Sequence, residues 1–313
     1  MIAKIIILIV CLLNIVNADD HSIKWGYKKE DGPAKWPGAC KDGMQQSPIN
    51  IAAADVIVKH MPRMHFIKYN HKGNITITNT GSSIMASGFD SWNKHNPFIS
   101  GGGLKGKYRL AQWHMHWAQD NADGSEHTMG SLHYPAEIHF VHIKENLTIV
   151  QALEEHDGLA VVAVFIAVKK NFNDTHNMAA VEPHLKNILE KDKTSLLNNH
   201  RLKDLLPNKF DSFYRYEGSL TTPGCNEAVI WTVLDNPIFI SQSQIDELRK
   251  IKTVSHNNRP VQKLAGRNIF YRPHHLQAFY ESPPDYNTAY ENGSGTLNPL
   301  SILLVTLFYY SLF

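Results

Sequence analysis

The segment Gln112–Trp117 alternates polar and apolar side chains, and this period of two constrains the fold more than any other feature of the chain. Successive side chains of a β-strand point to opposite faces of a sheet. As a strand, the segment places His114 and His116 on one face and Met115, with its two flanking tryptophans, on the other. Two imidazoles on one rigid strand can reach the same ion, so the alternation predicts part of a metal site.

A second alternating run, Glu137–His142, contains two more histidines. In a strand, Glu137, His139 and Val141 share one face, and His142 lies on the other. If the two strands are neighbours, His139 becomes the third ligand; the alternation favours it over His142 without excluding His142. An isolated His-x-His pair is more often a surface or core feature, so the metal site depends on this second run. Three neutral histidines that leave one coordination position open are typical of catalytic zinc.

Two polar side chains are positioned to orient these histidines. Gln112 lies two residues before His114, and Glu137 lies two residues before His139, so each shares a face with the proposed ligand that follows it. Such side chains accept the second imidazole N–H of a metal ligand and fix the direction of its ring. We therefore expect Gln112 and Glu137 to support the ligands.

The chain outside its two ends indicates a single domain, residues 19–280, of the β-dominated α+β class. Runs rich in Val, Ile, Thr and aromatic residues predict strands at Ile75–Thr78, Tyr108–Trp117, Glu137–Ile143, Ala160–Val168 and Ala228–Leu234. One helix is predicted from apolar residues at helical spacing, namely Met178, Val181, Leu185, Ile188 and Leu189. A Ser-x-x-Gln capping box predicts another at Ser241–Ile251. With 31 basic and 29 acidic side chains, composition gives no support to a nucleic-acid partner.

Residues 1–18 have the features of a signal peptide. Lys4 precedes an apolar run from Ile5 to Val16, and small residues around Ala18 offer a cleavage site. A membrane anchor is the alternative, but the run is shorter than the roughly 20 residues that span a bilayer. The chain has 3 cysteines, an awkward number for a secreted protein. Removal of the leader would also remove Cys11 and leave an even pair.

The C-terminus has the pattern of a glycosylphosphatidylinositol (GPI) attachment signal. A polar stalk at 281–292 leads to a largely apolar segment at 293–313. Small residues, a polar spacer and a terminal apolar tail form that pattern, and we place attachment at Asn292, with Gly293 or Ser294 as alternatives. A tail-anchored helix is disfavoured by the short apolar run and the missing basic flank, and a secreted chain with an apolar tail is disfavoured further. We expect the protein at the extracellular face of the plasma membrane, held by the lipid.

Three Asn-x-Thr triplets suit a chain that enters the secretory pathway. They begin at Asn74, Asn146 and Asn173, and each predicts an N-glycosylation site. A fourth match begins at Asn292, where it overlaps the proposed lipid-attachment site.

Several short motifs follow one another along the chain. They are Trp25-Gly26-Tyr27, Gln46-Ser47-Pro48-Ile49, Tyr108-Arg109-Leu110, His114-x-His116-Trp117, Gly124–Thr128, Ala136–His139, Gly218–Pro223 and Asn258-Arg259-Pro260. In this order they resemble the motifs of the α-class carbonic anhydrases, most closely the extracellular GPI-anchored members, over nearly all of residues 19–280. The resemblance implies a large, twisted, mostly antiparallel sheet with peripheral helices and one Zn²⁺ per chain in a conical cleft. It also implies reversible hydration of carbon dioxide to bicarbonate and a proton.

The resemblance assigns roles to individual residues. The zinc ligands correspond to His114, His116 and His139. Thr221 corresponds to the threonine that accepts a hydrogen bond from the reacting hydroxide, and Glu126 to the carboxylate that accepts from that threonine. Because Thr221 has one proton, giving it to Glu126 leaves only lone pairs for the hydroxide, which then aims its own remaining lone pair at the substrate. Without the resemblance, Thr221 would be interpreted as an ordinary turn residue before a proline.

The remaining correspondences concern the cleft. Its apolar carbon-dioxide pocket corresponds to Val141, Val161, Leu220, Val229 and Trp231. Thr222, beside that pocket, and Tyr27 correspond to polar residues that order the cleft water, and Asn257 joins Gln112 and Glu137 around the zinc ligands. The resemblance also implies inhibition by sulfonamides that bind the zinc.

The proton path departs from that of the fast family members. Those enzymes have a histidine midway up the cleft, and this chain has Ser82 at that position, with Thr80 and Met85 in place of nearby asparagines. Serine does not titrate near neutral pH, whereas histidine does. We therefore expect proton transfer to limit turnover in weak buffer. His21 is a candidate to replace the missing shuttle.

Cys40 and Cys225 correspond to the cysteines that are paired in extracellular family members. We expect a disulfide between them, which would also steady the loop that contains Thr221 and Thr222. Two unpaired thiols are the alternative.

Two other functions are weighed against carbon-dioxide hydration. A metal-free binding module with the same fold is the main alternative, and it is disfavoured because it would be expected to lack a zinc histidine. Hydrolysis of activated esters by the same hydroxide stays open as a third function.

Overall fold

The computed structural model describes residues 25–169, 177–252 and 256–274, and it arranges them around one large β-sheet. The strands are β1 Asn50–Ile51, β2 Val56–Val58, β3 Met64–Ile67, β4 Lys72–Asn79, β5 Ile84–Ser87, β6 Phe98–Gly101, β7 Tyr108–Trp117, β8 Thr128–Met129, β9 Ala136–Lys144, β10 Leu159–Val168, β11 Thr194–Arg201, β12 Phe213–Gly218, β13 Val229–Leu234, β14 Ile238–Ile240 and β15 Ile269–Arg272. The α-helices are α1 Ala39–Asp42, α2 Ile149–Glu154, α3 Glu182–Leu185 and α4 Gln242–Arg249. Short 3₁₀-helices lie at Pro33–Lys35, Ala53–Asp55, Phe89–His95 and Leu202–Leu205.

The large sheet has 13 strands, and its main path runs in the order β11-β4-β5-β7-β9-β10-β13-β12-β15-β2. Strand β6 pairs with β7 and β3, and β14 pairs with β10, while β1 and β8 form a separate parallel pair. Most pairings in the large sheet are antiparallel, and those of β10 with β13 and β14 and of β15 with β2 are parallel. The prediction of a β-dominated fold with a mostly antiparallel sheet and few helices is confirmed.

Strands β7, β9 and β10 lie in the middle of this order and are buried on both faces. One face packs in the larger core cluster, which contains Trp113, Met115 and Phe140. The other face packs in a smaller cluster, which contains Val141 and Trp231. Burial on both faces explains why β10 is a continuous apolar run, since neither set of its side chains meets solvent. The histidine runs of β7 and β9 thus lie in the best-buried part of the sheet.

A β-bulge at Ala111 changes which side of β7 faces which core. Leu110 and Gln112 pair with consecutive residues of β9, so Ala111 is the extra residue. Leu110 and Trp113 both pack in the larger core cluster although they are three residues apart, a spacing that places side chains on opposite faces of a regular strand. The bulge therefore allows Gln112 to face the histidine side while Leu110 stays in the core.

Most predicted elements are present, and one is shorter than predicted. The strands predicted around Tyr108–Trp117 and Ala160–Val168 correspond to β7 and β10, and α4 begins with the predicted capping box of Ser241 and Gln244. The continuous helix predicted from Met178 to Leu189 is wrong, because only α3 is α-helical there. Pro183 lacks the N–H that a helix through this segment requires. Met178 and Val181 are buried in a turn before α3, and Ile188 is buried in the irregular segment after it.

The predicted disulfide between Cys40 and Cys225 is present, with an S–S distance of 2.12 Å across a sequence separation of 185 residues. It connects α1 to the loop between β12 and β13. Both cysteines pack with Tyr27 and Trp36 in a third, small cluster. All of the described residues except His274 belong to one compact unit that ends at Pro273, and within them no helix is long and apolar enough to cross a membrane.

His200 of β11 is a buried histidine whose ring makes no hydrogen bond within the described part of the chain. The residue is 1% exposed, and its ring lies 6.0 Å from that of Trp113. Burial lowers the pKa of His200 to about 4, and the nearby charge of Asp204 opposes this only in part. The folded protein therefore holds the ring neutral at a pH where the unfolded chain binds a proton.

We expect His200 to make the protein less stable in acid. The pKa of the ring is 6.5 in the unfolded chain and about 4 in the folded protein. The contribution of the neutral ring to the free energy of unfolding is therefore fully present above pH 6.5, and it is lost as the pH falls towards 4. A shift of this size amounts to about 3 kcal/mol of unfolding free energy. His200→Leu should reduce the pH dependence between these values and stabilise the protein at pH 7. His200→Asn should reduce only the pH dependence. Denaturant titrations of the three proteins from pH 4 to 7.5 measure this, and parallel profiles would contradict it.

Candidate metal centre

Three imidazoles converge where β7 pairs with β9. The register places His114 directly opposite His139, and His116 lies on the same face of β7. The ring centroids are 5.0 Å apart for His114 and His116, 5.2 Å for His114 and His139, and 4.6 Å for His116 and His139. One ring nitrogen of each residue lies within 4.8 Å of the others. The three side chains can therefore approach one ion.

Each imidazole is oriented through its second nitrogen. Gln112 Oε1 accepts from His114 Nδ1 at 2.9 Å, and Glu137 Oε1 accepts from His139 Nε2 at 2.7 Å. His116 Nδ1 donates to a backbone oxygen, that of Asn257, at 2.7 Å. These bonds leave His114 Nε2, His116 Nε2 and His139 Nδ1 free to face one another. Imidazole nitrogens supported in this way are the usual ligands of metal ions in proteins.

The chemistry of these three residues fits a divalent metal ion. His116 Nε2 is buried and has no hydrogen-bond partner among the residues that the structure describes, although an unpaired buried nitrogen is costly. Burial lowers the pKa of His114 and His139, and it lowers the pKa of His116 to about 3. The rings are therefore neutral at physiological pH and offer lone pairs, as metal ligands must.

His142 lies on the other face of β9, away from these three rings. Its Nε2 is 2.6 Å from the Tyr69 hydroxyl, and its Nδ1 is 3.1 Å from the Ala160 carbonyl oxygen. Both nitrogens are therefore engaged in the core. This geometry favours His139 over His142, the choice that the alternation left open.

A hydrogen-bonded chain that the sequence reasoning missed extends from Glu137 into the core. Glu137 Oε1 accepts from His127 Nδ1 at 2.6 Å, and His127 Nε2 is 2.7 Å from the Tyr216 hydroxyl. Tyr216 donates to Ser47 Oγ at 2.9 Å, which accepts from the Ser219 amide at 3.0 Å. The chain thus connects a ligand-supporting carboxylate with the loop after β12. The motif around Glu126 contained His127, but nothing in the sequence indicated its partners.

The Glu137 carboxylate is fully buried, and its hydrogen bonds keep it ionised. Burial by itself raises its pKa, but His127 and His139 outweigh this and hold the pKa below its ordinary value. Its second oxygen accepts the amides of Glu126 and His127 at 2.9 and 2.8 Å. Glu137, His127 and His139 also lie close enough to hold a metal among themselves. Their short mutual hydrogen bonds already satisfy the carboxylate, so the three histidines with the unpaired nitrogen form the better site.

Glu126 and Thr221 lie beside the histidines, where the resemblance expects them. Glu126 is fully buried, and one of its oxygens accepts the Arg259 amide at 2.8 Å. Burial raises the pKa of Glu126 well above its ordinary value, and hydrogen bonding to the Thr221 hydroxyl and to that amide opposes the rise. Its other oxygen is buried and has no hydrogen-bond partner among the described residues.

A cleft opens above the three histidines. Among the predicted pocket residues, Val141, Val161, Leu220, Thr222 and Trp231 line it, together with Tyr27, Thr221 and Gln112. Val229 is buried in the core cluster that contains Val141 and Trp231, but it does not line the cleft. Leu159, which pairs with Val229 between β10 and β13, lines the cleft instead. The lining also includes Thr80, Ser82, Ser83 and Met85.

Several predicted residues lie outside the part of the chain that the structure describes. They are His21, Asn173, Asn292, Gly293 and Ser294, along with the whole of the proposed leader, stalk and tail segments. Asn74 and Asn146 are described, and both side chains are exposed. A sugar chain attached to either asparagine would therefore extend into solvent.

Comparison with known proteins agrees with the geometry. Residues 31–273 match the model of the eukaryotic-type carbonic anhydrase family. The chain belongs to that family. It is 47% identical over 277 residues to "Putative carbonic anhydrase 5" of Caenorhabditis elegans, covering 86% of this chain and 88% of the relative. It is 37% identical over 254 residues to carbonic anhydrase 4 of Mus musculus, covering 76% and 78%. With carbonic anhydrase 7 of Homo sapiens it is 35% identical over 259 residues, covering 78% and 96%.

Membership makes the protein a carbonic anhydrase enzyme, with carbon dioxide and bicarbonate as its substrates and sulfonamides as inhibitors. The family is zinc-dependent in general, and the three converging histidines of this chain provide a place for the metal.

Glu137→Gln should weaken metal retention. The amide keeps the shape of the side chain but removes the negative charge that contacts both His127 and His139. His139 therefore loses its anionic hydrogen-bond acceptor. Removing such a partner typically costs about 10- to 100-fold in metal affinity. Competition with a fluorescent zinc chelator measures the change. Glu145→Gln, at the exposed position just after β9, is the matched control, and equal affinities for the two variants would contradict the assigned role.

Proposed function

We propose that the protein hydrates carbon dioxide reversibly to bicarbonate and a proton, with one Zn²⁺ held by His114, His116 and His139. The observation that carries the proposal is the convergence of three neutral imidazoles on one point, with the buried Nε2 of His116 lacking any partner among the described residues. Three histidines with one open position are the donor set of catalytic zinc. When bound there, zinc lowers the pKa of a water molecule to about 7, so that hydroxide is available at neutral pH.

Thr221 orients the hydroxide in this proposal. Its hydroxyl group has one proton and interacts with Glu126. Burial raises the pKa of that carboxyl well above its ordinary value, and the hydrogen bond to Thr221 opposes the rise. If Thr221 gives its proton to that bond, only lone pairs of its oxygen face the cleft. A hydroxide in the cleft must then donate to Thr221, and its own lone pair is left free to attack the substrate. The Arg259 amide, which donates to the same carboxyl at 2.8 Å, also favours the anionic form that the orientation requires.

The wall of the cleft suits a small uncharged substrate. Val141, Val161 and Trp231 are each at most 3% exposed and line the cleft beside the histidines. Trp231 is fixed by an edge-to-face contact with His139 at 4.9 Å and by a hydrogen bond from its Nε1 to the Ser219 carbonyl at 3.0 Å. Carbon dioxide loses no hydrogen bonds when it enters such a surface, whereas bicarbonate does. Thr222 and Tyr27 provide polar contacts at the edge for cleft water.

The two alternatives are disfavoured in different ways. A metal-free binding module would not need three buried imidazoles with matched supporting acceptors, because each of them costs solvation free energy without a metal. Ester hydrolysis would use the same hydroxide and the same residues, so it would be a side activity of this site rather than a separate function.

His116→Ala should abolish carbon-dioxide hydration, since two histidines do not hold a catalytic zinc. A stopped-flow assay of the purified protein, with and without a chelator, measures the activity alongside the zinc content. His65→Ala, at an exposed position of β3, should retain both. Stoichiometric zinc without hydration activity in the parent protein would contradict the proposed reaction, and absence of zinc would support the binding module instead.

We further propose that proton release to buffer limits the turnover. Ser82 lines the cleft, and its hydroxyl is 3.2 Å from that of Thr80. Among the described residues that line the cleft, the three histidines proposed as ligands are the only imidazoles. A serine and a threonine cannot carry a proton by titrating near neutral pH. Buffer that enters the cleft would then have to accept the proton directly.

Ser82→His should raise turnover in weak buffer, by about 10-fold or more, because general acid–base groups of matched pKa contribute at least this much. Added imidazole should accelerate the parent protein and accelerate the variant less. Initial rates across an imidazole titration measure both effects. Ser91→His, at an exposed position, is the control for an added histidine elsewhere. A parent protein that is insensitive to imidazole would show that another group already carries the proton.

We also propose that the enzyme works at the outer cell surface, attached by a GPI lipid at Asn292 or its neighbours after removal of residues 1–18. The disulfide between Cys40 and Cys225 supports an oxidising compartment. The exposure of Asn74 and Asn146 is compatible with glycosylation. The apolar tail supports lipid attachment through its composition and length alone.

Treatment of cells that express the full chain with a phosphatidylinositol-specific phospholipase should release the enzyme into the medium, because the lipid tail is the proposed link to the membrane. Carbonic anhydrase activity and an antibody to the catalytic domain detect release. A chain whose tail is replaced by an unrelated transmembrane helix should stay on the cells. Retention of the native chain after treatment would contradict the GPI anchor.

A further inference from the structure

A second cleft contains a buried arginine that the proposed reaction does not use. Arg215 and Tyr216 are adjacent in β12 and point to opposite faces of the sheet. Tyr216 belongs to the hydrogen-bonded chain behind the histidines, so Arg215 points away from them. It lines a surface cleft bordered by Tyr108 and the loop Gly102–Leu104. Charged side chains are rarely buried unless they are paired, so the surroundings of Arg215 indicate what the cleft can bind.

Among the residues that the structure describes, the Arg215 guanidinium has no anionic partner. The residue is 7% exposed. Its Nη2 donates to Thr232 Oγ1 at 2.9 Å and lies 3.5 Å from the Met64 sulfur. Its buried Nε has no hydrogen-bond partner in the described part of the chain. Within the ranges that the structure describes, no carboxylate oxygen lies within 4.0 Å of it. Burial lowers the pKa of Arg215 to about 10, and the group is therefore still a cation at neutral pH.

The rest of the cleft is also more cationic than anionic. Three further cationic side chains line it: Lys59, Lys105 and Arg267. Of its two acidic residues, Asp157 is 2.6 Å from the Lys144 amine, and Glu217 has a side chain that is 57% exposed and lies 3.3 Å from His156 Nε2. The charge of Arg215 is therefore not compensated by the acids of the cleft.

The glycine loop leaves space next to the guanidinium. A Cβ atom added to Gly103 would lie 4.0 Å from Arg215 Nη1, with no other atom that near. At the neighbouring Gly102 such an atom would collide with the Met64 sulfur and approach Arg215 Nη2 to 3.2 Å. The opening therefore lies on the Nη1 side of Arg215.

We propose that this cleft is a binding site for a small oxyanion, of the carboxylate or phosphate type, with the Arg215 guanidinium as its principal contact. A guanidinium binds such anions through charge-assisted hydrogen bonds, and it can bind two of their oxygens at once. The anion supplies the counter-charge that the buried group lacks. The lysines at the edge of the cleft add a favourable field for its approach. The site lies apart from the three histidines and does not depend on the proposed reaction.

Inorganic phosphate is a suitable probe. The holoenzyme is first saturated with a sulfonamide, so that anions cannot act at the metal centre, and its melting temperature is then followed against phosphate concentration at constant ionic strength. Phosphate should raise the melting temperature with a saturable dependence, and acetate should do the same. In Arg215→Met the apparent affinity for phosphate should fall by about 10-fold or more, because the loss of one hydrogen bond to a charged group typically lowers affinity by this factor. Arg109→Met, which removes an arginine with 37% side-chain exposure on the surface, should retain the parent response.

A second pair of variants keeps the test decisive if Arg215→Met does not fold. Gly103 has φ +84°, and Asn and Asp tolerate such a conformation better than other residues with side chains. Gly103→Asp places a carboxylate next to Arg215 and should both stabilise the protein without phosphate and remove the phosphate response. Gly103→Asn, which adds a side chain of the same shape without the charge, should weaken the phosphate response less than Gly103→Asp does. A phosphate response that survives both Arg215→Met and Gly103→Asp, or one absent from the parent protein, would overturn the proposal.

Discussion

The pairing of His114 with His139 across β7 and β9 is the constraint on which the site and the core both depend. Side chains alternate along a strand, so a slip of one residue in this register would move His139 to the core face and bring His142 to the site. The same slip would expose the large apolar side chains that pack behind the strands. The core therefore enforces the register, and the register brings the histidines together. The bulge at Ala111 places Gln112 on the same face as His114, where Gln112 accepts a hydrogen bond from the His114 ring.

The loop that contains Thr221 is positioned by contacts from several parts of the chain. Ser219, two residues earlier, exchanges hydrogen bonds with Ser47 at 2.9 and 3.0 Å, and Ser47 belongs to the chain that begins at Glu137. Cys225, four residues later, is bonded to Cys40. A hydroxyl that must orient a nucleophile has to be held within a fraction of an ångström. The ligand-supporting network and the disulfide together provide this restraint, so the proposed orientation of the hydroxide rests on the fold and not on one hydrogen bond.

The local part of this arrangement could be predicted from the sequence, and the long-range part could not. Alternation within Gln112–Trp117 correctly indicated which side chains share a face, because a strand of this length obeys its own period. It did not reveal the bulge at Ala111, which depends on the partner strand. The partnership of His127 with Tyr216 joins residues 89 positions apart, and neither has a local signal. The helix predicted around Pro183 failed for the related reason that tertiary packing buries apolar residues in turns as well as in helices.

The features that suit the cleft to a metal also bear on its proton chemistry. Burial lowers the pKa of His114, His116 and His139 and so keeps them neutral as ligands, but a ring that stays neutral in this range cannot carry a proton near neutral pH. Two hydroxyls of the cleft lining are fixed by backbone acceptors: Ser83 donates to the Met115 carbonyl at 2.5 Å, and Thr80 donates to the Ser83 carbonyl at 2.9 Å. An apolar wall that favours carbon dioxide supplies no further titrating group. On these grounds the carrier of the product proton has to come from outside the described lining of the cleft, as solvent buffer or as a side chain that reaches in.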